Sequence, residues 1–226
     1  MSSRNHQFVR YVKNHLAEYG IKLVIGQGRM VNVGGYRAVG YFSESEKVIK
    51  IARKSTDFMC TLVHEYCHFL QYITNSKIYK KSDIAGYIID EWFRGKEYAP
   101  EKIKRAFFLV RAMERDCEKR AIKIIKKFNL QIDSKMYAKK AHCYIYSHFM
   151  MEKTRKFYSY KKSPYHSPVV LKIMPTSMAV LSHKTIPPKI YSVLESFIIW
   201  DFKYFGVNFT ISSLPYGHLS SCEINL

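Results

Sequence analysis

The segment from residue 55 to residue 74 constrains the fold most, because its apolar residues fall on almost every face of a helix. Ser55 or Thr56 can cap the first turn. A helix that is apolar all round is usually buried, so we expect this one to lie at the centre of the fold. Its apolar positions are Phe58, Met59, Leu62, Val63, Tyr66, Phe69, Leu70 and Ile73.

The remaining periodicity predicts an α+β fold around this helix. Alternation predicts strands over residues 21–25, 37–42 and 47–52, the last two forming a hairpin. Spacings of three and four predict helices over residues 5–19, 83–94, 100–128, 134–158 and 188–205.

The prolines divide the chain into two parts. All of them except Pro100 lie from Pro164 onward. We therefore predict a domain over residues 1–160 and a looser, proline-containing extension over residues 161–226.

The central helix contains the pattern HExxH, formed by His64, Glu65 and His68. Residues four apart on a helix differ by about 40° in angle and roughly 6 Å along the axis, so both imidazoles project from one face. They can converge on one Zn²⁺, and Glu65 can reach a water molecule as general base. Alternatively, the histidines are only hydrogen-bonded. Burying two imidazoles and a carboxylate is costly unless they are paired, which favours the metal.

A catalytic zinc needs a third protein ligand, and the sequence favours a carboxylate. The chain has no histidine between His68 and His142. Glu114 falls inside the apolar stripe of the helix over residues 100–128, where a carboxylate needs a compensating charge. A zinc ion would supply that charge, although a buried Lys or Arg could do so too. Glu118 lies at the edge of the stripe, where it could hydrogen-bond a histidine ligand.

Glu91 and Glu118 are the substitutes for Glu114 as the third ligand. Candidates for stabilising an oxyanion lie on the helix over residues 134–158, but packing of the helix is the commoner reason for aromatic side chains there. We therefore assign that role to none of His142, Tyr144, Tyr146 and His148.

HExxH on one helix and Glu114-x-x-x-Glu118 on a later helix resemble the gluzincin group of zinc metallopeptidases. The stretch from Glu114 to Ala121 is similar to the second motif of the ImmA/IrrE-like family, which begins with Glu and has Ala seven residues on. Three and four places after that Glu, the family's small residue and Asn or Asp are replaced by Cys117 and Glu118. The similarity covers about residues 20–128.

This resemblance implies a zincin-like core in which Glu114 is the third zinc ligand. It also implies an edge strand that binds the substrate by backbone hydrogen bonds. Residues 47–52 could be that strand, or they could form an ordinary core strand. Some members of the family cleave regulators bound to DNA, which fits a basic enzyme.

The formal net charge of +19 favours polyanionic partners. Cations concentrate in residues 119–162, and Tyr158, Tyr160 and Tyr165 lie among or beside the last of them. Such a face could bind nucleic acid, because cations contact phosphates and rings stack on bases. It could equally be the solvated surface of two helices.

The five cysteines form no CxxC pair, and four of them occupy apolar positions of predicted helices. Free buried thiols are typical of a reducing compartment. The first residues contain no apolar signal region, and no apolar run is long enough to cross a bilayer. We therefore expect an intracellular, cytoplasmic protein without a membrane segment.

Together these features predict a zinc endopeptidase that acts on an intracellular protein or peptide. One alternative is a basic nucleic-acid-binding protein with a structural or inactive zinc. Another is a metal-dependent hydrolase of a different bond, such as an amide in a small molecule.

Overall fold

A computed structural model describes residues 2–33, 36–156 and 163–197, and this part of the chain has the predicted α+β composition. Its strands are β1 (Lys22–Gly26), β2 (Val31–Val33), β3 (Tyr36–Ala38), β4 (Gly40–Ser43) and β5 (Val48–Ala52). Its α-helices are α1 (Ser3–Ala17), α2 (Phe58–Ile73), α3 (Lys77–Phe93), α4 (Pro100–Lys127), α5 (Ser134–Thr154), α6 (Pro168–Ile173) and α7 (Pro188–Glu195). The part of the helix predicted beyond residue 197 lies outside the described residues.

The main sheet has the strand order β1-β5-β4, with β5 parallel to β1 and antiparallel to β4. Residues 47–52 therefore form a core strand at the centre of the sheet, which is one of the two predicted alternatives. The other alternative, an edge strand open to a substrate, is wrong. Both sides of β5 are occupied by backbone pairing, which leaves β4 as the edge on that side of the sheet. The predicted hairpin between β4 and β5 is confirmed.

The helix α2 lies between the sheet and α4, and it contacts both. Leu62, Val63 and Phe69 are completely buried in one large core. The predicted cap is wrong, because α2 begins at Phe58, its N-cap residue is Asp57, and no side chain caps its first turn. The Ser55 hydroxyl instead accepts a hydrogen bond from the Asp57 amide at 3.2 Å, which closes a turn before the helix.

The strand β4 approaches α2 very closely at Gly40. A Cβ atom at this position would stand 2.7 Å from the Thr61 methyl carbon and 2.7 Å from Cδ1 of Ile51. Contacts this short do not occur between real carbon atoms. The absence of a side chain at Gly40 therefore permits the observed distance between strand and helix.

The helix α3 begins at Lys77, six residues before its predicted start. The charged segment at its beginning hid the helical pattern, although Tyr79 is buried there. Asn75, in a left-handed conformation with φ of 56°, separates α3 from the end of α2. The helices α3 and α4 then pack extensively against each other.

The described part of the extension packs on α5. A second apolar cluster joins α5 to α6 and α7, and its buried members are Cys143, Tyr146, Met150, Val170, Met174, Ile190 and Leu194. Arginines of α4 fix the segment between α6 and α7: Arg115 Nε donates to the Leu181 carbonyl at 2.6 Å and Arg111 Nε to the His183 carbonyl at 3.2 Å.

Candidate metal centre

The imidazoles of His64 and His68 converge at the buried face of α2. Their Nε2 atoms are 3.0 Å apart. From α4, Glu114 places Oε2 3.5 Å from Nε2 of His64 and Oε1 3.5 Å from Nε2 of His68. Ligand atoms bound to a tetrahedral zinc at about 2.0–2.2 Å stand about 3.3–3.5 Å apart. The two nitrogen–oxygen separations match this spacing, and the two Nε2 atoms stand slightly closer together than it requires. The three side chains therefore come close to the arrangement that one metal ion needs.

Glu114 has no exposed surface, and neither of its oxygens accepts a hydrogen bond from the described residues. A buried carboxylate without hydrogen bonds is strongly unfavourable unless a cation neutralises it. The cations nearest to it are His64 and His68, if protonated, or a metal that both imidazoles bind. This donor set, two imidazoles and one carboxylate, is typical of a catalytic zinc site.

The orientation of His64 is fixed from its other ring nitrogen. Nδ1 lies 3.1 Å from Oε1 of Glu118, and the Tyr137 hydroxyl donates to Oε2 of the same carboxylate at 2.6 Å. This arrangement favours a proton on Nδ1, so Nε2 is the nitrogen that would bind a metal, with the loss of its own proton. Burial lowers the pKa of His64, but the carboxylates of Glu118, Glu114 and Glu65 outweigh it and raise that pKa to about 10.

The orientation of His68 is fixed by Gln71, one turn later on the same helix. Nδ1 of His68 lies 2.9 Å from Oε1 of Gln71. The Gln71 amide nitrogen donates to the Met113 carbonyl at 3.0 Å and to Asp116 at 2.8 Å, both on α4. Both histidines are thus held by side chains that also connect α2 to α4. No local sequence pattern indicates this role of Gln71.

Glu65 is 1% exposed and lies beside the pair of imidazoles. The backbone amide of Phe42, on β4, donates a hydrogen bond to its carboxylate, whose Oε2 receives none from the described residues. Burial raises the pKa of Glu65, and the imidazoles of His64 and His68 counteract that increase. The carboxylate therefore lies between the two imidazoles and the edge strand.

Cys117 also approaches the site, and its donor atom lies within 4.8 Å of those of His64, His68 and Glu114. Its Sγ lies 3.7 Å from Nδ1 of His64 and 3.4 Å from the His64 carbonyl oxygen. It thus contacts the nitrogen that faces Glu118 rather than Nε2. Burial, followed by its contact with Cys67, raises the pKa of Cys117 well above that of a free thiol. Because Sγ contacts Nδ1 rather than Nε2, this geometry favours three ligands, His64, His68 and Glu114, over four.

The substitute ligand Glu91 does not join the site. Its carboxylate accepts hydrogen bonds from Lys96 at 2.8 Å, from Tyr87 at 2.9 Å and from Tyr98. These contacts place it at the end of α3, among exposed side chains.

Of the oxyanion candidates on α5, the structure brings Tyr144 closest to the metal ligands. Its ring centroid is 5.9 Å from that of His64, and Tyr165 of the extension lies 6.0 Å from Tyr144 on the other side. His142 instead contacts the Ser177 carbonyl at 2.9 Å, and Tyr146 lies in the second apolar cluster. His148 is buried, and its ring centroid lies 4.9 Å from that of Tyr144.

The cations of residues 119–162 are distributed over several environments. Lys140 pairs with Asp57 at 2.5 Å, and Arg120 pairs with Asp116 at 2.8 Å. Lys153 lies over the ring of Tyr191. Residues 157–162, which include Tyr158 and Tyr160, lie outside the described residues.

No described helix combines the length and the apolar character needed to cross a membrane. No protein-family model matches the chain, and neither a curated protein nor a solved structure is significantly similar to it.

Proposed function

We propose that this protein is a zinc-dependent metallopeptidase of the gluzincin type, with His64, His68 and Glu114 as metal ligands. The observation that carries the proposal is the convergence of two Nε2 atoms, 3.0 Å apart, with one buried carboxylate, each of whose oxygens lies 3.5 Å from one of those nitrogens. Three protein ligands and an open fourth position are typical of catalytic zinc, whereas structural sites have four protein ligands.

A zinc ion held by these side chains would act as a Lewis acid towards water and the scissile carbonyl. Glu65 lies next to the ligands without belonging to them, which is the position of a general base. It takes a proton from the attacking water as the water oxygen bonds to the carbonyl carbon. It then gives that proton to the amine as the carbon–nitrogen bond breaks. Glu118 and Gln71 hold the two imidazoles in the required tautomer and orientation.

The edge strand β4 supports an extended peptide as the substrate. Ala52 donates to the Val39 carbonyl at 2.8 Å, so the backbone groups of Gly40 and Phe42, which alternate with those of the paired residues, face away from β5. The Phe42 amide is the one that donates to Glu65. A peptide that extends the sheet along this edge would pass the general base.

The test compares two isosteric variants of the purified protein. Glu65→Gln should retain about one zinc per chain. It should cleave a mixture of quenched fluorescent peptides about 10²–10⁴-fold more slowly than wild type. Glu101→Gln, at an exposed position of α4, is the matched control and should behave like wild type. Bound zinc is measured by inductively coupled plasma mass spectrometry, and folding is measured by circular dichroism.

Two outcomes would contradict the proposal. Cleavage by Glu65→Gln at the wild-type rate would show that another group, or another protein, performs the reaction. Zinc-loaded wild type that cleaves no peptide would favour the alternative of a nucleic-acid-binding protein with a structural or inactive zinc.

A further inference from the structure

The outward face of α4 carries a row of cations that the metal site does not use. Arg115, Lys119 and Lys123 follow at intervals of four residues, so they project from one side of the helix about 6 Å apart. Arg115 and Lys119 are partly exposed and Lys123 is exposed. Like charges at this spacing repel each other and destabilise a helix unless an anion lies nearby.

A second segment of the chain adds to this row. The hydrogen bonds from Arg111 to the His183 carbonyl and from Arg115 to the Leu181 carbonyl hold the segment against α4. They bring His183 and the exposed Lys184 beside the row. The extension, folded back onto α4, therefore enlarges the cationic cluster.

Carboxylates do not balance the cluster. Among the described residues, Lys119, Lys123 and Lys184 form no ion pair. Asp116 acts on Lys119, but its carboxylate already accepts hydrogen bonds from Gln71 and Arg120. Burial and then the charges of Arg115 and Lys123 lower the pKa of Lys119, which shows that these cations are close enough to repel each other.

His183 experiences the same crowding. Burial lowers its pKa first, followed by the charges of Arg115, Lys184, Arg111 and Lys119. A neutral imidazole is not repelled by the surrounding cations, so the ring of His183 can lie among them and present an aromatic face.

An exposed aromatic ring extends the cluster towards the start of α4. Phe108 is 37% exposed, and its ring lies 5.0 Å from that of His183. Phe108 is seven residues before Arg115, so it lies on the same side of the helix, about 10 Å away along the axis. The surface formed by Phe108, Arg115, Lys119, Lys123, His183 and Lys184, which we name the α4 outer surface, is thus about 22 Å long.

We propose that the α4 outer surface binds single-stranded nucleic acid, with phosphates along the cations and an unpaired base on the rings of Phe108 and His183. Cations alone would fit any polyanion. Exposed rings next to them fit unpaired bases, because a base inside a duplex has no free face for stacking. The formal net charge of +19 strengthens attraction to a polyphosphate at long range. The proposal does not depend on zinc or on peptide cleavage.

The test measures the fluorescence anisotropy of a labelled 20-nucleotide single-stranded DNA with the full-length protein over a series of salt concentrations. The variant Lys119→Glu/Lys123→Glu/Lys184→Glu should weaken binding at least about 30-fold. It should also reduce the salt slope by about 2, since each lost contact with a single strand contributes roughly 0.7. The control Lys22→Glu/Arg53→Glu/Lys54→Glu makes the same change in charge at β1 and the turn after β5, and should weaken binding less than about threefold.

The variant Phe108→Ala tests the stacking part separately. It should weaken binding of the single strand about tenfold and change binding of a duplex of the same sequence less than about twofold. Equal losses in both triple variants would overturn the proposal, because net charge alone would then explain binding. It would also be overturned if Phe108→Ala bound the single strand like wild type, or if polyglutamate displaced the DNA as effectively as unlabelled single strand.

Discussion

The two faces of α4 carry opposite charges in opposite environments. The inner face presents Glu114 and Glu118 to the core, where both are buried. The outer face presents Arg115, Lys119 and Lys123 to solvent. On the inner face, Glu118 is satisfied by His64 and Tyr137, whereas Glu114 has no hydrogen bond within the described residues. Each face leaves charge unbalanced, and the difference in burial sets how costly that imbalance is.

The comparison explains why the two faces require different partners. A buried carboxylate costs several kcal/mol without a counter-charge, so the inner face requires one, from a protonated imidazole or from the proposed metal. Exposed cations repel each other by only a few tenths of a kcal/mol per pair, so the outer face needs no counter-charge in order to fold. The proposed metal would thus contribute to the fold, whereas the proposed nucleic acid would bind to a fold that is already complete.

The largest effect is expected at the inner face. Glu114→Gln removes the charge that a metal neutralises, so bound zinc should fall from about one per chain to below about 0.1 at micromolar zinc. Wild type should unfold at a lower temperature after chelation, because zinc at about 1,000 times its Kd adds about 4 kcal/mol to the free energy of unfolding. That difference should disappear in Glu114→Gln. Metal analysis and calorimetry measure both quantities, and a variant with undiminished zinc would exclude Glu114 as a ligand.

An intermediate effect is expected where the imidazoles are oriented. Gln71→Leu removes the partner of His68, and Tyr137→Phe removes one hydrogen bond to the carboxylate that holds His64. Loss of such partners lowers metal affinity by about 10–100-fold, with Gln71→Leu at the upper end and Tyr137→Phe at the lower. Competition with a chromophoric chelator measures the zinc Kd. Tyr87→Phe, at an exposed tyrosine of α3, is the control, and equal affinities in all three variants would remove the orienting role.

The smallest effect is expected at the outer face. Lys119→Gln relieves repulsion with Arg115 and Lys123, so it should raise the free energy of unfolding by about 0.3 kcal/mol at low salt. Because salt screens exposed charges, this gain should vanish at about 0.5 M salt. Denaturation by urea at both salt concentrations measures it. A gain that is independent of salt would come from helix propensity rather than charge.

The parts of the site that sequence could predict are those governed by short spacings. His64 and His68 are four residues apart on a helix, and Glu114 interrupts an apolar stripe, so both signals appear in the order of residues. Gln71, which contacts His68, is itself held by the Met113 carbonyl of α4. Tyr137 of α5 holds Glu118, the carboxylate that contacts His64. Those contacts depend on how α2, α4 and α5 pack, which a local pattern does not contain.

The fold shows the same limit. The α+β composition and the hairpin followed from periodicity, but the central position of β5 did not. That position depends on the parallel pairing of β5 with β1, more than twenty residues earlier. Alternation along a strand shows which residues are buried without showing which neighbours it has.

Gly40 has a consequence for the proposed chemistry. Any side chain there would push β4 away from Thr61 and so widen the gap between the edge strand and α2. The Phe42 amide, two residues further on, would move with the strand, and its hydrogen bond to Glu65 would lengthen. The position of Glu65, the proposed proton acceptor, thus depends on the hydrogen atom that Gly40 carries in place of a methyl group. The contact that a methyl group would disturb, with Thr61, lies about one helical turn before Glu65.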